Sequence, residues 1–243
     1  MPTRDKESYS IHSVDNALAV LEALCDEPGD VQISRLSEKL GMNKTSVFRL
    51  LATFENRGYV EREEQTGRYR LGLSAYEVGQ KLISRMTMLR QARPVMERLA
   101  RECDEAVYLA LRRDDELLFL DMVDTPQQVK IISLVGKRYP LSEIAAGSVI
   151  LAHSPTEQPL SRELAEIHRR GWASGHDVLG EGIACLSVPL FNGEGTVPAS
   201  LSFLGPDFRL DEQRLRDNFL PPLREAGQTI SSKLGFLGSY LNS

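Results

Sequence analysis

Residues 33–60 read ISRLSEKLGMNKTSVFRLLATFENRGYV, and within them a short helix, a stop and a second helix follow in order. Leu36 and Leu40 share one face of the first helix. Gly41 ends it, because glycine enters the left-handed conformation without a Cβ penalty. Asn43 restarts the chain as an N-cap, and Met42 and Val47 have the spacing of a hydrophobic staple across it. In the second helix Val47, Leu50, Leu51 and Phe54 form the buried stripe, which leaves Thr45, Arg49, Ala52 and Asn56 outward with Phe48 and Thr53 on the flanks. Small hydroxyls, one arginine and one aromatic on an exposed helix face are the groups that meet base edges in a major groove.

The chain beyond that helix supports the same reading. Residues 58–62, GYVER, alternate as a strand, QTGR at 65–68 reads as a turn, and YRL at 69–71 alternates again. A β-hairpin in this place is a wing, with Arg68 and Arg70 set to touch phosphates. Before it, Val14, Ala17, Leu18, Leu21 and Leu24 follow helical spacing behind a Ser13 cap, and Pro28-Gly29 closes that helix. The candidate DNA-binding residues are Lys44, Thr45, Ser46, Phe48, Arg49, Thr53 and Arg68.

Charge sets a limit on this reading. The 243 residues carry a net charge of −5, and residues 1–72 hold ten Lys and Arg against twelve Asp and Glu. Affinity for a nucleic acid must therefore come from a local patch, for which Lys39, Lys44, Arg49, Arg57, Arg62, Arg68 and Arg70 are the candidates. No apolar run reaches the roughly 18 residues that span a bilayer, and no secretion signal is evident, so a cytoplasmic protein is expected. The three cysteines, Cys25, Cys103 and Cys185, are far apart and lack CxxC pairing; small buried hydrophobes are the default.

Residues 73–93 read as a linker helix capped by Ser74, sparse in apolar residues, with the domain boundary before Pro94. From there the order changes. A helix carries Val95, Met96, Leu99 and Cys103, and two β runs at 106–111 and 117–123 flank Asp114-Asp115. A third strand is expected at 129–135, a small-residue helix at 142–152, a helix at 162–170, and strands at 183–191 and 197–204 around an NGEG turn. Helical material should fill 211–241 with a new start at Pro221-Pro222. An antiparallel sheet flanked by helices, an α+β sensor-type domain, fits this order.

The stretches SVDNALAVLEAL, NKTSVFRLLATFENRGYV, GRYRLG, YPLSEIAAGSVILA, RRGWA and EGIACLSVPLFNGEGTVPASLSFLGP together resemble the IclR family of bacterial transcriptional regulators across nearly the whole chain. The resemblance implies a winged helix-turn-helix at 1–72, a linker helix at 73–93 and a GAF-like effector-binding domain at 94–243. It implies further a double-stranded DNA operator, a small-molecule effector such as a small organic or aromatic acid, and homodimers that assemble into tetramers. No metal or other cofactor is expected. Carried over position by position, the effector pocket maps to Ile131, Tyr139, Ala145, Ala146, Ile183, Cys185 and Ser202. Where many members carry lysine after the AAG glycine, this chain has Ser148; where many carry a hydroxyl two residues after Ser202, it has Leu204, so a less polar pocket is implied.

Three other readings stand beside this one. A sensor or enzyme could act through a reactive Cys185 on a non-DNA partner, although Gly182-Ile183-Ala184 beside it supplies no base. A metal site could draw on His153, His168, His176, Asp177 or Cys185, whose spacings match no standard ligand set. A sensor working through protein contacts with a vestigial winged domain would suit the acidic balance. No GxGxxG, P-loop, nucleophile elbow or HExxH occurs.

Overall fold

The structure, a computed structural model, describes residues 10–156, 159–176, 179–180 and 182–238. Two compact units divide the chain, Met1–Arg85 and Met86–Ser243.

The first unit contains α1 (His12–Cys25), α2 (Ile33–Leu40), α3 (Lys44–Asn56), a two-stranded wing of β1 (Val60–Arg62) and β2 (Tyr69–Leu71), and α4 (Leu73–Arg85). Gly41 sits at φ 62°, the left-handed stop that separates α2 from α3. Val20, Ala23, Leu24, Val31, Leu36, Val47, Leu51, Val60 and Tyr69 form its core. The wing is fastened to that core by paired backbone bonds between Val31 and Tyr69, at 2.8 and 2.9 Å.

Two expectations fail in α1. Its N-cap is Ile11 with no side-chain cap, so Ser13 lies inside the helix. Val14 and Leu18 are exposed, whereas Leu24 is buried as expected and Val20 and Ala23 face inward with it. Helix α4 buries none of its residues and leaves Leu73, Tyr76, Val78, Leu82 and Ile83 exposed. Ser74 lies within α4, where its hydroxyl donates to the Arg57 carbonyl at 3.0 Å and ties the helix start to the end of α3. The expected single linker helix over 73–93 is two helices, broken at extended Met86, and the compact units part there rather than before Pro94. Pro94 lies well inside the next helix, α5 (Thr87–Cys103).

The second unit is a six-stranded antiparallel sheet in the order β5-β4-β3-β8-β7-β6. The strands are β3 (Val107–Arg113), β4 (Glu116–Val123), β5 (Arg138–Pro140), β6 (Ala173–His176), β7 (Ile183–Leu190) and β8 (Ala199–Pro206). Side chains alternate between two covered faces, so every residue of β8 is buried. Val107, Leu109, Leu186, Val188, Leu201 and Phe203 pack with Met96 and Leu99 of α5 and with Leu223 and Ile230 of α9 (Leu220–Lys233). Tyr108, Ala110, Phe119, Cys185 and Leu204 face α6 (Ala145–Ala152) and α7 (Arg162–Arg170). Gly147 lets α6 settle close to the preceding loop, since a Cβ there would lie 2.1 Å from the Leu141 carbonyl oxygen.

Residues 129–135 are not a strand. A turn at Gly136, closed by Lys137 donating to the Leu134 carbonyl at 2.9 Å, places Arg138–Pro140 on β4 in their stead. Val129, Ile132 and Val135 stay exposed, Ile132 at 83%. The small-residue helix starts at Ala145 rather than 142. Strand β6 was not expected. At the C-terminus, α8 (Glu212–Arg214) and a π turn over Leu215–Phe219 lead into α9, whose first turn holds Pro221 and Pro222, where missing N–H groups cost nothing. The helix ends at Lys233, short of the expected 241, and residues 239–241 lie outside the described residues.

Candidate nucleic-acid interface and ligand site

The cap at the start of α3 has the expected geometry: the Asn43 side chain accepts from the Ser46 N–H at 2.8 Å. Val47 and Leu51 are fully buried and Leu50 and Phe54 half-buried, which turns Lys44, Thr45, Phe48, Arg49 and Thr53 outward. These residues line two clefts. One, of about 510 Å³, brings Lys44, Thr45 and Phe48 together with Gln32, Ile33 and Ser34 of the α2 start and Thr66 and Gly67 of the wing. The other, of about 300 Å³, brings Ser46, Arg49 and Thr53 together with Ser13 and Asn16 of α1. Thr53 donates its hydroxyl to the Arg49 carbonyl at 2.9 Å, so its proton is already committed. Gln32, Ser34, Ser13 and Asn16 escaped the sequence reading; the polar residues at the start of α2 were the available signal.

The basic patch is smaller than the sequence suggests. Lys39 pairs with Asp26 at 3.2 Å and Glu27 at 3.4 Å, and the Asp26 hydrogen bond holds its ammonium above the ordinary value. Arg70 pairs with Glu61, its cross-strand neighbour, at 3.0 Å, and that bond raises its guanidinium likewise. The Arg62 guanidinium lies 5.8 Å from the Tyr69 ring centre. Arg68 donates to the Asp30 carbonyl at 3.5 Å and is exposed, as are Lys44 and Arg49. Among the described residues of this unit, the exposed cations outside the ion pairs above include Lys44 and Arg49 on α3, Arg57 at its end and Arg68 on the wing.

In the second unit the residues expected around a ligand gather on the α6 side of the sheet. Ala145, Ala146, Cys185 and Ser202 are buried, while Ile131, Tyr139 and Ile183 are half-buried at the margin. Cys185 Sγ lies 3.2 Å from Ser187 Oγ, which lies 2.7 Å from Ser202 Oγ. The Ala146 N–H also meets the Cys185 thiol, joining β7 to the first turn of α6. Burial outweighs both hydrogen bonds and pushes this thiol up to about 11, so it is not a thiolate at neutral pH. Ser200, on the same face, is fully buried and its hydroxyl has no hydrogen-bond partner among the described residues. Tyr108, Phe119 and Tyr139 continue the wall edge to face, with ring centres 5.5 and 5.9 Å apart. Ser187, Ser200, Tyr108 and Phe119 were missed because they lie on strands buried on both faces, where alternation gives no sign of which side holds a site.

Of the cysteines, Cys25 is exposed rather than buried, and Cys103 is intermediate. His153 and His168 come together, ring centres 4.7 Å apart, each with Nδ1 donating to a backbone carbonyl at 2.8 Å. His153 Nε2 is buried without a partner among the described residues, and burial holds its ring below the usual imidazole value. Among the described residues no group of three His, Cys, Asp or Glu is placed to hold a metal; Asp177 lies outside them. Among the described residues no helix is long and apolar enough to cross a membrane.

Comparison with known proteins agrees with this architecture. The description "IclR helix-turn-helix domain" matches residues 13–64, and "Bacterial transcriptional regulator IclR C-terminal" matches 80–159 and 155–232. The DNA-binding transcriptional repressor YiaJ of Escherichia coli (strain K12) is 31% identical over 249 residues, 92% of this chain and 88% of that protein. An IclR transcriptional regulator from Alicyclobacillus acidocaldarius shares the fold with a TM-score of 0.81 at 25% identity, over 93% of this chain and 100% of that one. An IclR homologue from Microbacterium hydrocarbonoxydans, solved with 4-hydroxybenzoate, has a TM-score of 0.77 at 24% identity, over 91% and 98%. These relatives are named as transcriptional regulators, and the buried, protonated Cys185 thiol lends no support to a catalytic role. With both of its units matched, the chain belongs to the IclR family of bacterial transcriptional regulators.

Proposed function

We propose that this regulator binds a duplex operator as a homodimer through α3 and the wing, and that a small organic or aromatic acid modulates that binding from a site between α6 and strands β7 and β8. The observation that carries the first half is the outward face of α3. There Thr45, Ser46, Arg49 and Thr53 supply donors and acceptors for base edges, while Lys44 and Arg68 meet phosphates. Exposed apolar residues on α1 and α4, among them Val14, Leu18, Leu82 and Ile83, support a second copy of the chain as partner, since such surface is covered in stable assemblies.

The effector half rests on the α6 start. Helix α6 has no side-chain cap, so a ligand carboxylate would accept hydrogen bonds from backbone N–H groups at its N-terminus, with Ala146 giving up its contact with Cys185, beside the small side chains of Ala145 and Ala146. Cys185, Ser187, Ser200 and Ser202 offer short polar groups, and Ile131, Tyr139 and Ile183 an apolar rim. The ring bound by the Microbacterium homologue is of the proposed chemical class. The effector shifts operator affinity only by binding the DNA-competent and incompetent states unequally. The test is calorimetry with a panel of aromatic and aliphatic acids, followed by operator binding with and without the hit. Ala146→Trp should abolish acid binding and leave operator affinity unchanged; undiminished acid binding in that variant would remove the site from α6.

A further inference from the structure

Helix α3 carries one feature that hydrogen-bond readout leaves unused. Phe48 is 47% exposed, whereas the other large apolar residues of the helix, Val47, Leu50, Leu51 and Phe54, are buried or half-buried against the core. It stands on the outward face between Lys44 and Thr45 on one side and Arg49 on the other, and it lines the cleft that Thr66 and Gly67 of the wing close. Flanking cations and hydroxyls match a polyanion better than an apolar protein surface, so the ring's natural counterpart lies within a nucleic acid. The apolar group that a duplex presents in its major groove is the 5-methyl of thymine.

We infer that Phe48 reads thymine by packing its ring against that methyl group, which makes it a specificity-determining residue of the operator contact. The inference rests on α3 being the DNA-reading helix. A methyl group that leaves water for the Phe48 ring discriminates T·A from the other pairs without a donor or acceptor. It thus adds sequence information where Arg49 and Thr45 supply polar contacts. Ala52, one turn further on and half-buried, keeps that side of the ring clear of a bulky neighbour.

The experiment selects duplexes with the full-length protein from a random-sequence pool, then replaces each thymine of the selected site by deoxyuridine, which deletes the methyl and keeps the pairing edge. Wild-type protein should lose about fourfold in affinity at one or more positions per half-site, the weight of one buried carbon. Phe48→Ala should bind the thymine and uridine duplexes equally, and Phe48→Leu should retain the preference. Equal wild-type affinity for every uridine duplex overturns the inference and leaves the DNA-reading role of α3 intact. So does a Phe48→Ala variant that still prefers thymine. A pool from which no sequence is enriched removes the reading of α3 and the inference with it. The wild-type arm does not depend on whether the variant folds.

Discussion

Two serines on neighbouring positions of one strand face should respond to the same substitution with opposite signs. Ser200 and Ser202 both lie on β8 and are both fully buried. Ser202 shares a 2.7 Å hydrogen bond with Ser187, whereas the Ser200 hydroxyl has none among the described residues. A buried hydroxyl without a partner costs about 1–3 kcal/mol, and a satisfied one contributes about 0.5–1.5 kcal/mol net. Ser200→Ala deletes an unmet donor at the expense of a very small void, so it should stabilise the second unit by about 1 kcal/mol. Ser202→Ala should destabilise it by about the same amount, with Ser187 left only the longer bond to Cys185 at 3.2 Å. The single tryptophan of the chain, Trp172, is 9% exposed and lies in the second unit, so its fluorescence in urea follows that unit alone. With a slope of about 2 kcal/mol/M, the two midpoints should move by roughly 0.5 M in opposite directions. A Ser200→Ala midpoint at or below the wild-type value would refute the reasoning, because it would mean the hydroxyl is satisfied.

Two further outcomes follow from the surface and from the histidine pair. Arg49→Ala should relax base preference and cost about 1–3 kcal/mol on the selected site, while Arg68→Ala should weaken all sequences alike; equal losses on selected and random duplexes for both would contradict the division of roles. Burial holds the His153 ring, whose Nε2 has no partner among the described residues, below the ordinary imidazole value of 6.5, so the unfolded chain binds the extra proton first. Stability should therefore be full above pH 6.5 and fall as acid takes the pH down toward the folded value, a slope that His153→Gln should flatten in urea titrations at pH 7.5 and pH 5.5. Parallel pH profiles for the two proteins would place the ring in a solvated setting.

The DNA-reading unit was legible because its signals are local. The Gly41 stop, the Asn43 cap and the Val47 to Phe54 stripe all act within a few residues, and each appears where the sequence placed it. What needed the third dimension was not legible. The pairing of Lys39 with Asp26 joins two helices, and that of Arg70 with Glu61 depends on wing register. Helix α1 has apolar residues on more than one face, so periodicity found the helix and misjudged which face turns inward. The apolar run at 129–135 has strand composition, yet the sheet edge beside it is taken by Arg138–Pro140, and β6, with the sequence ASGH, lacks the apolar content that marks a strand. The residues proposed to line the ligand site come from separate segments of the chain, and only the family resemblance named seven of them. No local pattern separates Ser187 and Ser200 from any other small residue of a strand covered on both faces.

The internal ion pairs of the winged unit also bear on how the protein searches. A cation already matched by a carboxylate releases few counterions on meeting a phosphate, so Lys39 and Arg70 add little to the salt dependence of binding. With few unpaired cations among the described residues of this unit, residence on arbitrary sequence is expected to be brief. On the proposed reading, background retention on non-target DNA is then held down, and the ratio of target to non-target occupancy should depend on base contacts made by a single helix.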